Sequence, residues 1–427
     1  MAFQPERFDF IVIGVGGIGS AALYWLSRLA SKGTKILGLE RFELGHARGG
    51  SEDYSRMVRK AVGYTDTPQY RELAAASYEA WYDLERDSGR QLLFKTGGIV
   101  FADTHSGSEQ YERMKHQHAT IDWPDCQRIN AQDIRQRWPQ IIVDDSAIVQ
   151  TFVLEFLVIC CGQPLNVSGF YESEAGLVDP IAANGAHQQR ACARGAQIVQ
   201  KAGVCHVEKA GDDYLVQTTN GSFMGHKLLI TCGAWINDML AHFGAQIPVT
   251  VTQENVTYVA SLDIKPFRKE VFPIINYHSP LCSVYTLPAH GLPCFKIGLD
   301  AMGPITTGDS RNFEPDPIRE KQCLDWIRNY VPAAMGPVRL TKTCLYAMTK
   351  DRDFVIDTLA RQGHANVIVC CGAGHAYKFA GVLGKTLTEM ATCGTPSVDV
   401  SRFQLDRPAI TDPTFPFWRD ARMKGNL

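Results

Sequence analysis

The chain has 427 residues, enough to bury a large core and, by length, to form two or three domains. Hydrophobic residues at 45%, charged residues at 21% and a net charge of -2 fit an ordinary soluble enzyme. They argue against a nucleic acid partner or a pull toward an acidic membrane surface. The 13 cysteines follow neither a disulfide framework nor a metal-site spacing. Cys160-Cys161 and Cys370-Cys371 lie in apolar runs as buried thiols do, so a reducing compartment is expected.

Met1 to Phe10 lacks the basic-then-apolar order of a signal peptide. The Asn-x-Ser/Thr triplets at Asn166, Asn220 and Asn255 are therefore read as chance, and the expected location is cytoplasmic. Lys424 to Leu427 offers a faint match to a peroxisomal tripeptide, which makes the peroxisome the alternative.

Asp9 to Ile13 is an apolar, β-branched run. It leads into Gly14-Val15-Gly16-Gly17-Ile18-Gly19, a helical stretch from Ser20 to Ala30, and a second apolar run, Lys35 to Leu39, closed by Glu40. Strand, glycine turn, helix, strand and an acid about 20 residues past the last glycine form the setting of a dinucleotide fingerprint. Gly14 permits the tight turn, Gly16 lets the backbone approach a pyrophosphate at the helix N-terminus, and Gly19 brings helix and strand together. Glu40 is placed to accept from a ribose hydroxyl. The motif alone does not choose between NAD and FAD.

The loop Gly45 to Asp53 runs into Tyr54-Ser55-Arg56-Met57-Val58-Arg59. Two arginines three apart either point into one anionic space or form a solvated basic face. Tyr70 to Arg86 has the period of an amphipathic helix, and Leu92 to Phe101 reads as a hairpin turning at Gly97-Gly98, the entry to a second domain. Thr151 to Cys161 is too short to span a bilayer as a helix. It reads as a buried strand, a local insertion or an artefact of gene prediction. Ile181 to Arg194 is helical, and Ala196 to Val199 starts a strand expected to continue through Val204. Tyr214 to Thr218 and Lys227 to Thr231 are strands, the latter ending in Cys232-Gly233-Ala234-Trp235, a turn suited to the ligand edge of an open sheet. Ile247 to Val338 suits a largely antiparallel sheet, and α/β character returns at Val367 to Cys371 and a helix around Gly381 to Met390.

Four pieces carry a family resemblance: the fingerprint, Ser55-Arg56-x-x-Arg59, Lys296 in Cys294-Phe295-Lys296-Ile297-Gly298, and a pair of C-terminal motifs. The pair is Cys344-Leu345-Tyr346-Ala347-Met348-Thr349 with Asp353-Phe354-Val355-Ile356-Asp357, then Gly374-His375-Ala376-Tyr377-Lys378-Phe379. Together they resemble the monomeric sarcosine oxidase family, which includes pipecolate, N-methyltryptophan and fructosyl-amino-acid oxidases. The resemblance covers nearly the whole chain except Thr151 to Gly169.

It implies an α/β fold in which a Rossmann-like, glutathione-reductase-type FAD-binding domain packs beside a substrate domain of antiparallel β-sheet plus helices. The expected segments are 1–90, 173–240 and 341–427 for the first domain, and 91–172 and 241–340 for the second. The implied cofactor is FAD, tethered at its 8α-methyl carbon to Cys344. A thiolate can attack that electron-poor methyl, and the bond prevents dissociation and raises the flavin's potential. Arg41, Ser55, Val204 and Gly374 join Gly14, Gly16, Gly19, Glu40 and Cys344 in the expected cofactor set.

By the same resemblance Arg59 and Lys378 hold the substrate carboxylate, Arg56 lies close to the flavin ring, and Lys296 helps dioxygen reoxidise it. His375 and Tyr346 match pocket residues near the substrate amine. On residue type alone Lys296 reads as a salt-bridged strand lysine and His375 as a satisfied core histidine. The chain departs from the family pattern at Asp300, where sarcosine oxidase has a histidine, and at Cys371, Ala376 and Tyr377. A carboxylate at Asp300 can pair with a cationic amine or side chain, which argues against a simple sarcosine-like substrate.

The implied reaction is oxidation of a secondary amine on an amino-acid-like substrate by a monomer, with dioxygen as electron acceptor and no metal. The alternatives are a dehydrogenase of the same fold using another acceptor, a flavin-binding paralogue without turnover, and, less favoured, an NAD dehydrogenase.

Overall fold

The computed structural model describes residues 5–60, 67–102, 125–143, 168–279 and 282–418. Thr151 to Cys161, Asn166 and the C-terminal tetrapeptide lie outside the described residues.

Strand Glu6–Ile13 sits inside an eight-stranded sheet, parallel to Ile36–Leu39 on one edge and to Gly221–Ile230 on the other. Gln197–Val199 extends the sheet beyond Ile36–Leu39, and His364–Cys371 beyond Gly221–Ile230, both parallel. Such strands are covered on both faces, which is why they read as unbroken apolar runs. Alternate residues feed two cores. Val12, Ile36, Leu229 and Ile368 pack under helices Gly17–Leu29, Pro180–Ala193 and Ala380–Thr392. Ile11, Ile13, Leu37, Leu228 and Val369 face the opposite side. The first half of Gly221–Ile230, still paired with Glu6–Ile13 from Phe223 on, takes Asp213–Thr218 antiparallel on its other side, and that strand pairs in turn with Val204–Ala210. Val355–Leu359 folds antiparallel onto His364–Cys371.

The second sheet has nine strands. Its longest pairing joins Val249–Val259 to Val338–Thr349, followed by Phe295–Leu299, Ser283–Leu287 and Ile274–His278. All its pairings are antiparallel except Ile274–His278 with Gly98–Ala102. A small third sheet joins Arg56–Val58, Gly176–Val178 and Leu93–Lys95.

Three local expectations are corrected. Leu92 to Phe101 is not a hairpin: Leu93–Lys95 joins the small sheet while Gly98–Ala102 joins the large one. Gly97, at φ 70°, breaks the strand between two sheets instead of reversing it. Val204 does not continue Gln197–Val199. Lys201 takes φ 54° and its amide donates to the Phe42 carbonyl, so the chain leaves the parallel sheet there and Val204 opens an antiparallel ribbon. The expected boundary at 340/341 falls inside strand Val338–Thr349, whose whole length belongs to the nine-stranded sheet.

Helices Gly17–Leu29 and Ala380–Thr392 pack backbone to backbone at Gly384, where an added Cβ would lie 2.5 Å from Ala21. We predict that Gly384→Val destabilises the fold by about 1–3 kcal/mol through overpacking. Urea unfolding read by tryptophan fluorescence measures this, and an unchanged midpoint would contradict the close packing.

Candidate active site

The fingerprint glycines build a backbone cradle. Gly14 has φ 91°, and a Cβ there would lie 2.8 Å from the Thr231 carbonyl oxygen. A Cβ on Gly19 would lie 1.9 Å from the Gly14 carbonyl oxygen, so helix and strand approach as only glycine allows. Gly16 precedes helix Gly17–Leu29 without a side chain to cap it, and Ser51 Oγ accepts from the Gly17 amide at 2.8 Å. Glu40 is buried and accepts from the Val15 amide at 2.8 Å and the Phe42 amide at 3.0 Å, with His46 Nε2 at 3.3 Å. A carboxylate offers about four acceptor positions, so a ribose hydroxyl can still be accommodated.

Gly14, Gly16, Glu40, Arg41 and Val204 all line one cavity of about 350 Å³. Arg41 pairs with Asp309 at 3.0 Å and lies over the Phe42 and Trp235 rings. Thr231, Gly233 and Ala234, at the end of strand Gly221–Ile230, border this cavity and a larger one of about 620 Å³. These residues fit a dinucleotide: two cavities share a glycine-lined neck at a helix N-terminus.

Arg56, Arg59, Lys296, Asp300, Tyr346, Gly374, His375 and Lys378 all line the larger cavity. The sequence scatters them, and the fold collects them. Lys296 comes from the wholly buried strand Phe295–Leu299. Its Nζ donates to Asp53 Oδ2 at 2.8 Å and to the Ser55 carbonyl. Burial pushes Lys296 down to about 8, although Asp53 pulls it up. Burial would raise Asp53, yet the charges of Lys296, Arg56 and Lys342 hold it well below the usual carboxylate range. Arg56 Nη1 lies 3.3 Å from the same Asp53 oxygen, and its Nη2 donates to the Gly50 carbonyl at 2.7 Å.

The His375 ring lies tilted against Phe354, their centroids 4.8 Å apart, and its Nε2 lies 2.9 Å from the Arg352 carbonyl oxygen. A carbonyl only accepts, so Nε2 carries the hydrogen and Nδ1 keeps its lone pair. Burial, with Lys378 and Arg352 nearby, holds His375 well below its ordinary value, so the ring is neutral. Lys378 Nζ donates to the His375 carbonyl at 2.7 Å, and its own carbonyl accepts from Trp81 Nε1 at 3.0 Å. Gly374, at φ 82°, lets Tyr346 lie against it, since a Cβ there would be 2.9 Å from the ring.

Three expected cofactor residues stand back from the cavities: Gly19, which packs on the Gly14 carbonyl, Ser55 and Cys344. Ser55 is buried and reaches the site through the carbonyl that Lys296 binds. Cys344 is 3% exposed, behind the cavity-lining Leu345 and Tyr346. Burial raises its thiol, while Arg56 pulls it down. Asp300 meets a side chain: Arg352 donates to both its oxygens, at 2.7 and 2.8 Å.

Sequence reasoning passed over Asp53, Tyr258 and Arg352. Asp53 follows Glu52 in the loop and lies three residues before Arg56, with which it pairs. Arg352 carried no signal, because only folding brings it to Asp300.

The sequence model of the family described as FAD dependent oxidoreductase matches residues 9–390. The monomeric sarcosine oxidase of Bacillus sp. (strain B-0618) is 28% identical over 415 residues, covering 96% of this chain and 98% of the relative. The N-methyl-L-tryptophan oxidase of Salmonella agona (strain SL483) is 24% identical over 408 residues, covering 94% and 99%. Among solved structures, NikD, an unusual amino acid oxidase essential for nikkomycin biosynthesis, superposes with a TM-score of 0.76 at 21% identity, covering 93% of this chain and 97% of that one.

Arg352→Met removes the bidentate partner of Asp300 and is expected to cost about 1–3 kcal/mol in urea unfolding. With Asp300→Asn added, the loss should be smaller than the sum of the single losses; strict additivity would show that the pair carries no coupling.

Proposed function

Because this chain belongs to the FAD dependent oxidoreductase family, as a sarcosine oxidase-like enzyme acting on CH–NH groups, we propose that it oxidises the secondary amine of an N-substituted or cyclic amino acid and returns the electrons to dioxygen as hydrogen peroxide. The observation that carries this reading is the convergence of Arg59, Lys378, His375 and Lys296 on one cavity that shares its glycine neck with the dinucleotide cradle. The names of the relatives, sarcosine oxidase and N-methyl-L-tryptophan oxidase, point to the same substrate class. The cofactor unit is proposed to be assembled from segments 1–90 and 173–240 and the part of 341–427 that follows strand Val338–Thr349.

FAD, when bound, accepts the hydride that leaves the carbon next to nitrogen. The Arg59 guanidinium and the Lys378 ammonium hold the substrate carboxylate, which fixes the direction of that C–H bond. Neutral His375 presents Nδ1 as an acceptor to the amine N–H, while the positive charges of Arg59 and Lys378 in the same cavity disfavour a protonated amine. Tyr346 packs along the substrate from the Gly374 side. Lys296 supplies a cation where dioxygen becomes an anion on taking its first electron. Arg56 shares Asp53 with Lys296 and adds positive charge beside the ring. The imine product then meets water and hydrolyses or cyclises. Cys344 is proposed as the covalent anchor of the flavin; burial raises its thiol, so the thiolate needed for attack is a minor form that the Arg56 charge favours.

Three measurements test this reading. An anaerobic bleaching screen over N-methyl amino acids, pipecolate, saccharopine and fructosyl amino acids should find a compound that reduces the flavin. Substrate and air alone should then give peroxide; bleaching without peroxide would select a dehydrogenase, and no bleaching a paralogue without turnover.

Acid-denatured protein should stay yellow in the pellet, and Cys344→Ala should release the colour. Colour lost from the unaltered protein would exclude the tether. Lys296→Met should slow reoxidation by dioxygen by about 10²-fold or more, with a much smaller effect on anaerobic reduction. Equal slowing of both steps would remove Lys296 from the oxygen reaction.

A further inference from the structure

We propose that Asp53 is a positioning residue for the oxygen reaction: its buried carboxylate keeps Lys296 charged and aimed at the cavity, with Tyr258 fixing its other oxygen. This rests on the reading of Lys296 given above.

The geometry is specific. Asp53 and Lys296 have side chains 1% and 2% exposed, so neither charge is solvated by water. Asp53 Oδ2 takes Lys296 Nζ at 2.8 Å and lies 3.3 Å from Arg56 Nη1. Asp53 Oδ1 accepts from the Tyr258 hydroxyl and lies 3.8 Å from Lys342 Nζ. The other acceptor of Lys296 is the Ser55 carbonyl, which takes a hydrogen bond but carries no charge. Arg56 repels the ammonium. A buried lysine without a counter-ion sheds its proton, so the charge on Lys296 depends on Asp53. Lys342 competes for Asp53 from the rim of the cluster, where it also pairs with Glu52 and is 16% exposed.

The signs follow from the charges. Burial leaves Lys296 titrating at about 8, so its cationic form is present at lower pH and is lost as pH rises through that value. Removing Asp53 moves the midpoint to lower pH. Removing Lys342 frees more of the Asp53 field for Lys296 and moves it to higher pH. Among the described residues the other titratable groups facing the cluster include the phenols of Tyr258, Tyr285 and Tyr346 and the thiol of Cys344. Burial raises all four, so they stay neutral across neutral pH, and Arg56 stays charged.

The test uses FAD-loaded enzyme as purified and compares it with Asp53→Asn, Asp53→Glu, Lys342→Met and Lys296→Met. One readout is the rate at which photoreduced enzyme without substrate is reoxidised by air-saturated buffer from about pH 6 to about pH 9.5. The other is the ¹⁵Nζ resonance of Lys296 in ¹⁵N-lysine-labelled protein, assigned by its absence in Lys296→Met. Asp53→Asn should shift both midpoints to lower pH by at least about one unit, slowing reoxidation about tenfold on the alkaline side of the unaltered midpoint and much less at about pH 6. Asp53→Glu keeps the charge and should stay closer to the unaltered enzyme. Lys342→Met should shift both midpoints to higher pH, and it carries the test alone if Asp53→Asn does not fold.

If Lys296→Met slows reoxidation but Asp53→Asn and Lys342→Met leave the Lys296 resonance midpoint unmoved, or slow reoxidation equally at every pH, the role of Asp53 is overturned. If Lys296→Met reoxidises like the unaltered enzyme, the oxygen reading of Lys296 fails instead. The resonance shift in Asp53→Asn then still decides whether Asp53 sets that charge.

Discussion

The parallel pairing of Glu6–Ile13 with Gly221–Ile230 is the constraint on which the rest of the structure depends. The two strands lie far apart in sequence, so their pairing must close a very long loop before any contact repays it. Once they pair, the Thr231 amide donates to the Ile13 carbonyl at 2.9 Å, and Thr231 Oγ1 donates to the Gly14 carbonyl at 2.7 Å. The glycine cradle is thus sealed by a residue from the far strand. Local sequence shapes the turn, but only the completed sheet makes it a binding site.

A second dependence runs through the loop between Arg48 and Arg56. Arg311 donates to the Arg48 carbonyl, Lys342 pairs with Glu52, Tyr258 and Lys296 bond Asp53, and Lys296 also takes the Ser55 carbonyl. The loop follows the first βαβ unit, and its partners Tyr258, Lys296 and Lys342 sit on the nine-stranded sheet, with Arg311 from the segment before helix Pro317–Tyr330. Buried charges of this kind bring little net stability, because taking them out of water offsets their attraction. They do fix geometry, since a shift of one member leaves another unsatisfied. The two sheets are thereby registered against each other beside the larger cavity.

Much of this was legible in the sequence where the signal is local. The fingerprint, the helix Pro68–Ser88 and the buried parallel strands all declare themselves by glycine spacing or periodicity. Leu92 to Phe101 misled because Gly97-Gly98 marks a break in the chain as readily as a reversal, and strand partners decide which. Lys201 hid the end of a strand because no sequence rule anticipates a lysine with positive φ. Within the site, Arg56, Arg59, Lys296, His375 and Lys378 drew notice through motifs and line the larger cavity, whereas Asp53, Tyr258 and Arg352 meet partners that lie in distant segments. Asp300 drew notice as a departure from a pattern, but its partner Arg352 was invisible before folding.

The ribbon of Val249–Val259 against Val338–Thr349 has a mechanical consequence. Val251, Leu345 and Ala347 at one end are embedded in the core of the parallel sheet, while Val256, Tyr258 and Cys344 farther along build a separate cluster with Cys294. Paired from Val249–Thr349 to Val259–Val338, the ribbon acts as a stiff beam set into two cores at once. A hinge between the sheets would have to bend that beam or pull its end from packed side chains. The ribbon therefore resists a change of angle between the sheets and favours a constant shape for the cavity beside it.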